Sequence, residues 1–182
     1  IGRVLQNGLE ILDGLLALSR NNLGPARAAF TRALERDPNS IDALEGLLIV
    51  DAKTKNLSAA VSRIEQRTAA APANASFRLI AAQTYTAAGR LDDAERALRR
   101  VIDTSPENLS AYSSLGRLYL REHRLDEALA QFDAAAKRNP GAVGPSTMAG
   151  IILELQNKPA DARKRYEAIV AANSRAAVAA NN

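Results

Sequence analysis

The sequence predicts an all-α chain, a solenoid of five helix-turn-helix repeats with a C-terminal helical stub. Three observations carry that reading. Pro38, Pro72, Pro106 and Pro140 lie 34 residues apart, with Ser174 in the next place. Twelve residues before these stand Ala26, Ala60, Ala94, Ala128 and Ala162, and eight before them Phe30, Ile64, Leu98, Phe132 and Tyr166. Each unit also carries two runs of apolar residues at helical spacing.

The units read 7–40, 41–74, 75–108, 109–142 and 143–176. The fourth shows the pattern most plainly. Residues 110–122 place Ala111, Tyr112, Leu115, Leu118 and Tyr119 on one face of a first helix. His123 and Arg124 form the turn, and Leu125, Ala128, Leu129, Phe132 and Ala135 line the second helix. Asp126 and Glu127 favour the positive end of its dipole. Lys137 and Arg138 close it, and Asn139-Pro140 stops it. In the third unit Gly89 supplies the turn, because glycine tolerates positive φ. Leu23, Leu57, Leu91 and Leu125 open the second helices, with Pro159 in the fifth unit at a place that accepts proline. Gly144 and Pro145 predict that the fifth unit's first helix starts late. Residues 175–182 predict the beginning of a sixth first helix. The opening Ile and this short stub lead us to expect an excised piece of a longer chain.

This pattern resembles the tetratricopeptide repeat, in which large, small and aromatic residues recur at fixed places. Tyr112, Leu115, Gly116 and Tyr119 stand at those places in the fourth unit, and Ala81, Ala82 and Tyr85 in the third. The likeness covers about 170 of the 182 residues. It implies a right-handed superhelix with first helices on the inner, concave wall and second helices outside. Glu10 and Asp13 depart from the family's apolar preference, and we expect them to face solvent or a further repeat.

Composition narrows the function classes. Apolar residues make up 47% and charged residues 24%, as in globular chains. There is no cysteine and one histidine, so disulfides, thiolate metal sites and histidine clusters are excluded. No run approaches the ~20 apolar residues of a membrane span. No phosphate loop, HExxH or EF-hand pattern occurs. His123 reads as a turn residue, and Asp92-Asp93 and Asp126-Glu127 as helix-start charges. No catalytic residue, cofactor or metal site is predicted. The net charge of +4 is small. The first three units are neutral, the fourth is +1 and the fifth +2, with Arg3 adding the last charge. The seven aromatics all fall on packing positions, leaving no stacking platform for nucleic acid.

The resemblance also implies which residues face the groove. They are Ile11, Leu15 and Leu18 in the first unit, then Asp42, Glu45, Ile49 and Lys53 in the second. The third unit gives Leu79, Gln83 and Thr86, the fourth Ser113, Arg117, Leu120 and Arg121, and the fifth Thr147, Ile151 and Glu154. The Lys/Asn clamp of chaperone-binding members is missing. So is the asparagine ladder of the sugar-transferase members, where this chain has Leu12, Gly46, Ile80, Ser114 and Met148. The expectation is a non-catalytic scaffold that binds a peptide or protein partner, with Arg117 and Arg121 meeting an acidic group. The alternative is a structural or regulatory region of a larger enzyme or cell-envelope assembly. Nucleic-acid binding and direct membrane insertion are not expected. Apolar residues near both ends, Leu9, Leu12 and Leu16 against Tyr166, Ile169 and Val170, predict end-to-end self-association. The lack of cysteine fits cytoplasm and periplasm equally.

Overall fold

The computed structural model describes residues 2–180, and the side chains of all of these except Arg3 and residues 173–180. The described residues form ten helices and no strand. They are α1 (Gly2–Ser19), α2 (Leu23–Arg36), α3 (Ile41–Lys53), α4 (Leu57–Ala70), α5 (Ala75–Ala87), α6 (Leu91–Thr104), α7 (Leu109–Arg121), α8 (Leu125–Arg138), α9 (Val143–Leu155) and α10 (Pro159–Ala180). Each sequence unit is thus one pair of helices. Two compact units result, 1–94 and 95–182.

Local chemistry sets the helix ends. The residue after each first helix that turns the chain is Asn21, Lys55, Gly89, His123 or Asn157, again 34 apart, and all five have φ between 57° and 75°. His123 is therefore a left-handed turn residue, as its alignment with Gly89 predicts. Ser40, Asn74 and Asn108 cap α3, α5 and α7, each accepting a hydrogen bond from the backbone N–H three residues on. Ala142 precedes α9 with no side chain able to do so. Asp37, Ala71 and Asn139 leave helical geometry just before prolines, as the ring's clash with the preceding residue requires.

Three expectations are corrected. Helix α9 does not start late: it begins at Val143 with Pro145 as its third residue, where the missing N–H is an orphan in any case. Helix α10 runs through Ser174 to Ala180. Serine keeps its N–H and has no ring to clash, so 175–180 extend the second helix and do not start a new first helix. Asn181 and Asn182, the end of the expected stub, lie outside the described residues. Glu10 does not face solvent. It is 7% exposed, receives a hydrogen bond from Arg36 at 2.9 Å and lies 3.6 Å from Arg32. Its two oxygens tie α1 to α2. Asp13 is exposed.

Packing follows the repeat. The alanines at 26, 60, 94, 128 and 162 are all buried. In the first unit Phe30, Leu44, Leu47, Val50, Ile64 and Phe77 form the core. In the second, Leu98, Val101, Leu115, Tyr119, Phe132 and Ile152 are buried. Phe30 fits between Gly14 and Gly46, and a Cβ on either would lie within 2.6 Å of the ring.

Candidate functional site

Helices α3, α4 and α5 enclose an open cavity of about 370 Å³. Glu45, Leu48, Ile49 and Ala52 line it from α3, Leu57 and Ala60 from α4, and Ile80, Gln83, Thr84 and Ala87 from α5. Three of the residues expected in the groove, Glu45, Ile49 and Gln83, therefore meet at one hollow. Ile49 is 45% exposed, so it offers apolar surface at the edge of the cavity. Glu45 and Gln83 are the polar groups at its edge with the reach to orient a ligand.

Other expected residues are placed differently. Ile11 and Leu18 pack against the core of the first unit, and Leu15 is exposed. Leu79 and Thr86 are half-buried beside the cavity residues of α5, and the Thr86 hydroxyl donates to the Ala82 carbonyl at 2.7 Å. In the compact unit 95–182, Ser113 and Leu120 are half-buried, whereas Arg117, Arg121 and Ile151 are exposed. Arg117 donates to the Ser114 hydroxyl at 3.2 Å, and the Thr147 hydroxyl to the Val143 carbonyl. No described helix is long and apolar enough to cross a membrane.

Sequence reasoning overlooked Leu48, Ala52, Leu57, Ala60, Ile80, Thr84 and Ala87 as cavity walls. A signal for two of them was present. The place held by Ala52 carries Leu18, Thr86, Leu120 and Glu154 in other units, and that of Ala87 carries Ser19, Lys53, Arg121 and Leu155. Alanines where most other repeats have larger side chains leave the space open.

Charged staples tie neighbouring helices together in both compact units. Arg124 stacks 4.1 Å over the Tyr119 ring, donates to Glu95 at 2.7 Å and pairs with Glu127. The Tyr119 hydroxyl donates to Glu95 at 2.9 Å and accepts from Arg99 at 2.7 Å. Burial pushes the Glu95 carboxyl up, but the hydrogen bonds from Arg124, Arg99 and Tyr119 outweigh it and hold it at about 2. Burial and the bond to Glu95 push the Tyr119 phenol up to about 12. One repeat earlier the same places hold Arg90, Tyr85 and Asp93. Arg90 stacks 4.8 Å over Tyr85 and pairs with Asp93 and with Glu65. A repeat earlier again the tyrosine place is Asp51. It is fully buried and clamped by Arg27 at 2.6 Å and Arg63 at 3.4 Å.

Paired helices in a 34-residue register, with a ligand-sized hollow between two first helices and the second helix that joins them, define the helix-turn-helix α-solenoid class. The tetratricopeptide repeat profile matches residues 79–143. Cellulose synthase operon protein C of Pseudomonas fluorescens (strain SBW25) is 32% identical over 128 residues, 66% of this chain and 10% of that protein. The chain thus spans about a tenth of the length of the curated relative it matches. Among solved structures, MamA superposes with a TM-score of 0.69 at 19% identity, covering 90% of this chain and 96% of its own. Pseudomonas aeruginosa PilF gives 0.71 at 22%, covering 93% and 78%. YrrB, described as a TPR protein with an unusual peptide-binding site, gives 0.59 at 23%, covering 88% and 83%. The profile match and the structural likeness together support the tetratricopeptide repeat as the building unit of this chain. Its fold is that of protein–protein interaction scaffolds, which are generally non-catalytic.

Proposed function

We propose that the chain binds an extended segment of a protein partner along its first helices, with the α3–α5 hollow as the principal anchor site. The observation that carries this reading is the cavity itself, with Ile49 left exposed at its edge. At about 370 Å³ it falls at the small end of ligand pockets, roughly 300–1,000 Å³, suited to one or two apolar side chains. The peptide-binding site described for YrrB supports the same use of the fold. Arg117, exposed on α7, is the proposed contact for a carboxylate of the partner in the second unit. Arg121, one turn further along that face, would act beside it.

The test is capture from a random-peptide display library, compared with the Ala52→Trp variant. Ala52 is exposed, so a tryptophan there fills the hollow without entering the core. Peptides captured by the wild type and lost by the variant support the site. Equal capture by both refutes it.

A second reading is favoured by the relative's size and name. The chain spans about a tenth of a cellulose synthase operon protein, so it would serve as a scaffolding region of a larger cell-envelope assembly. Co-purification of the full-length protein with a synthase or envelope complex, lost on deleting this region, tests that role.

A further inference from the structure

The rim of the α3–α5 hollow carries an ordered charge pattern. Asp42, Glu45, Ile49 and Lys53 lie three to four residues apart, so they share one face of α3. Asp42 and Glu45 are exposed at the N-terminal end and Lys53 at the C-terminal end, with Lys55 in the turn just beyond. Among the described residues the side chains of Asp42, Glu45 and Lys53 form no hydrogen bond or ion pair. Asp42 in the first turn and Lys53 in the last also complement the helix dipole. Glu45 stands beyond the first turn and lines the cavity, so the dipole gives no reason for it. Across the hollow, α5 contributes Gln83 and α4 only Leu57 and Ala60, so no cation neutralises Glu45 from the facing walls.

We propose that the hollow selects a segment of a partner protein in which one large apolar side chain is accompanied by a lysine or arginine two residues away. The inference rests on the groove reading above and gives it a chemistry. The apolar side chain enters among Leu48, Ile49, Ala52, Leu57 and Ile80. The cation meets Glu45, with Asp42 extending the negative field. The spacing follows from geometry. Glu45 and Ile49 are four residues apart on a helix, a rise of about 6 Å. An extended peptide covers about 6.6 Å in two residues and points both side chains to one face. On the other side of the anchor, Lys53 and Lys55 disfavour a second cation, so the basic residue is one-sided. Either chain direction satisfies the pattern, because the anchor and one flank fix it.

The experiment selects peptides from a random display library on three purified chains: wild type, Glu45→Lys and Ala52→Trp, each first checked for unchanged helix content. The expected result is a wild-type consensus of a large apolar residue with Lys or Arg two positions away. Glu45→Lys should change that position to Asp or Glu. A synthetic ten-residue wild-type consensus peptide should lose about tenfold in affinity on Glu45→Lys, a change of about 1.4 kcal/mol, since a modest exposed attraction becomes a repulsion of similar size. A consensus that Ala52→Trp abolishes but that carries no basic preference, or one unchanged by Glu45→Lys, overturns this inference and leaves the groove reading intact. Capture indifferent to Ala52→Trp, or no capture at all, overturns both.

Discussion

Gly116 and Phe132 give the sharpest test of how the repeats pack. The two residues are sixteen apart, one on α7 and one on α8. A Cβ built on Gly116 would lie 2.7 Å from Phe132 Cε2, 2.9 Å from Cδ2 and 3.0 Å from Cζ. Carbon atoms in contact prefer about 3.5–4.0 Å, so the methyl group is nearly 1 Å too close to a ring that is 2% exposed. Phe132 has no outward escape, and α7 and α8 must separate. Overpacking of this kind costs about 1–3 kcal/mol. The gain in helix propensity on replacing glycine by alanine returns about 1 kcal/mol. Gly116→Ala should therefore destabilise by up to about 2 kcal/mol, against the expected sign for a helical glycine.

The third repeat carries the complementary combination in its sequence: the place of Gly116 is Ala82 and that of Phe132 is Leu98. With Phe132→Leu already in place, Gly116→Ala should become favourable by about 1 kcal/mol. The double-mutant cycle then yields a coupling of about 1–3 kcal/mol, read from urea unfolding followed by far-ultraviolet circular dichroism. Gly8→Ala is the control. Nothing lies within 4 Å of its added carbon, so it should stabilise by up to about 1 kcal/mol. Additivity within ~0.5 kcal/mol would refute the pairing of glycine with ring.

Three further predictions follow from the charges and caps. Arg27→Met should destabilise by about 3 kcal/mol in urea melts, because Asp51 is left buried with only the longer contact to Arg63; an unchanged midpoint would remove Asp51 from the structural core. Glu95, held at about 2 when folded against an ordinary 4.5, contributes stability that is full above pH 4.5 and lost as pH falls toward 2. The melting temperatures of wild type and Glu95→Gln should therefore converge over that window, and curves that stay parallel would contradict the assigned hydrogen bonds. Ala142→Asn should raise stability by about 1 kcal/mol by supplying the cap that Asn74 and Asn108 give α5 and α7.

What the sequence revealed depends on whether one residue or a relation between residues carries the information. Helix pairing was legible because each marker acts alone: a proline stops a helix, an alanine permits a close crossing, a left-handed residue turns the chain. Each recurs at 34 residues whatever its neighbours do. The corrections arise where a marker depends on context. Pro145 breaks a helix interior but is tolerated as the third residue of α9. Glu10 and Asp51 are charged residues at packing places, and their burial depends on arginines 26, 24 and 12 residues away. No local pattern announces such a partner. The cavity lies between these cases. Glu45, Ile49 and Gln83 were found by repeat position, because position fixes the face of a helix. The space before them was not, because it is made by what Ala52 and Ala87 lack. Reading a solenoid for function therefore means comparing each repeat place across the units and looking for the unit where a side chain is shorter than its counterparts. In this chain that comparison leads to α3 and α5, where an unpaired carboxylate stands at the edge of the resulting gap.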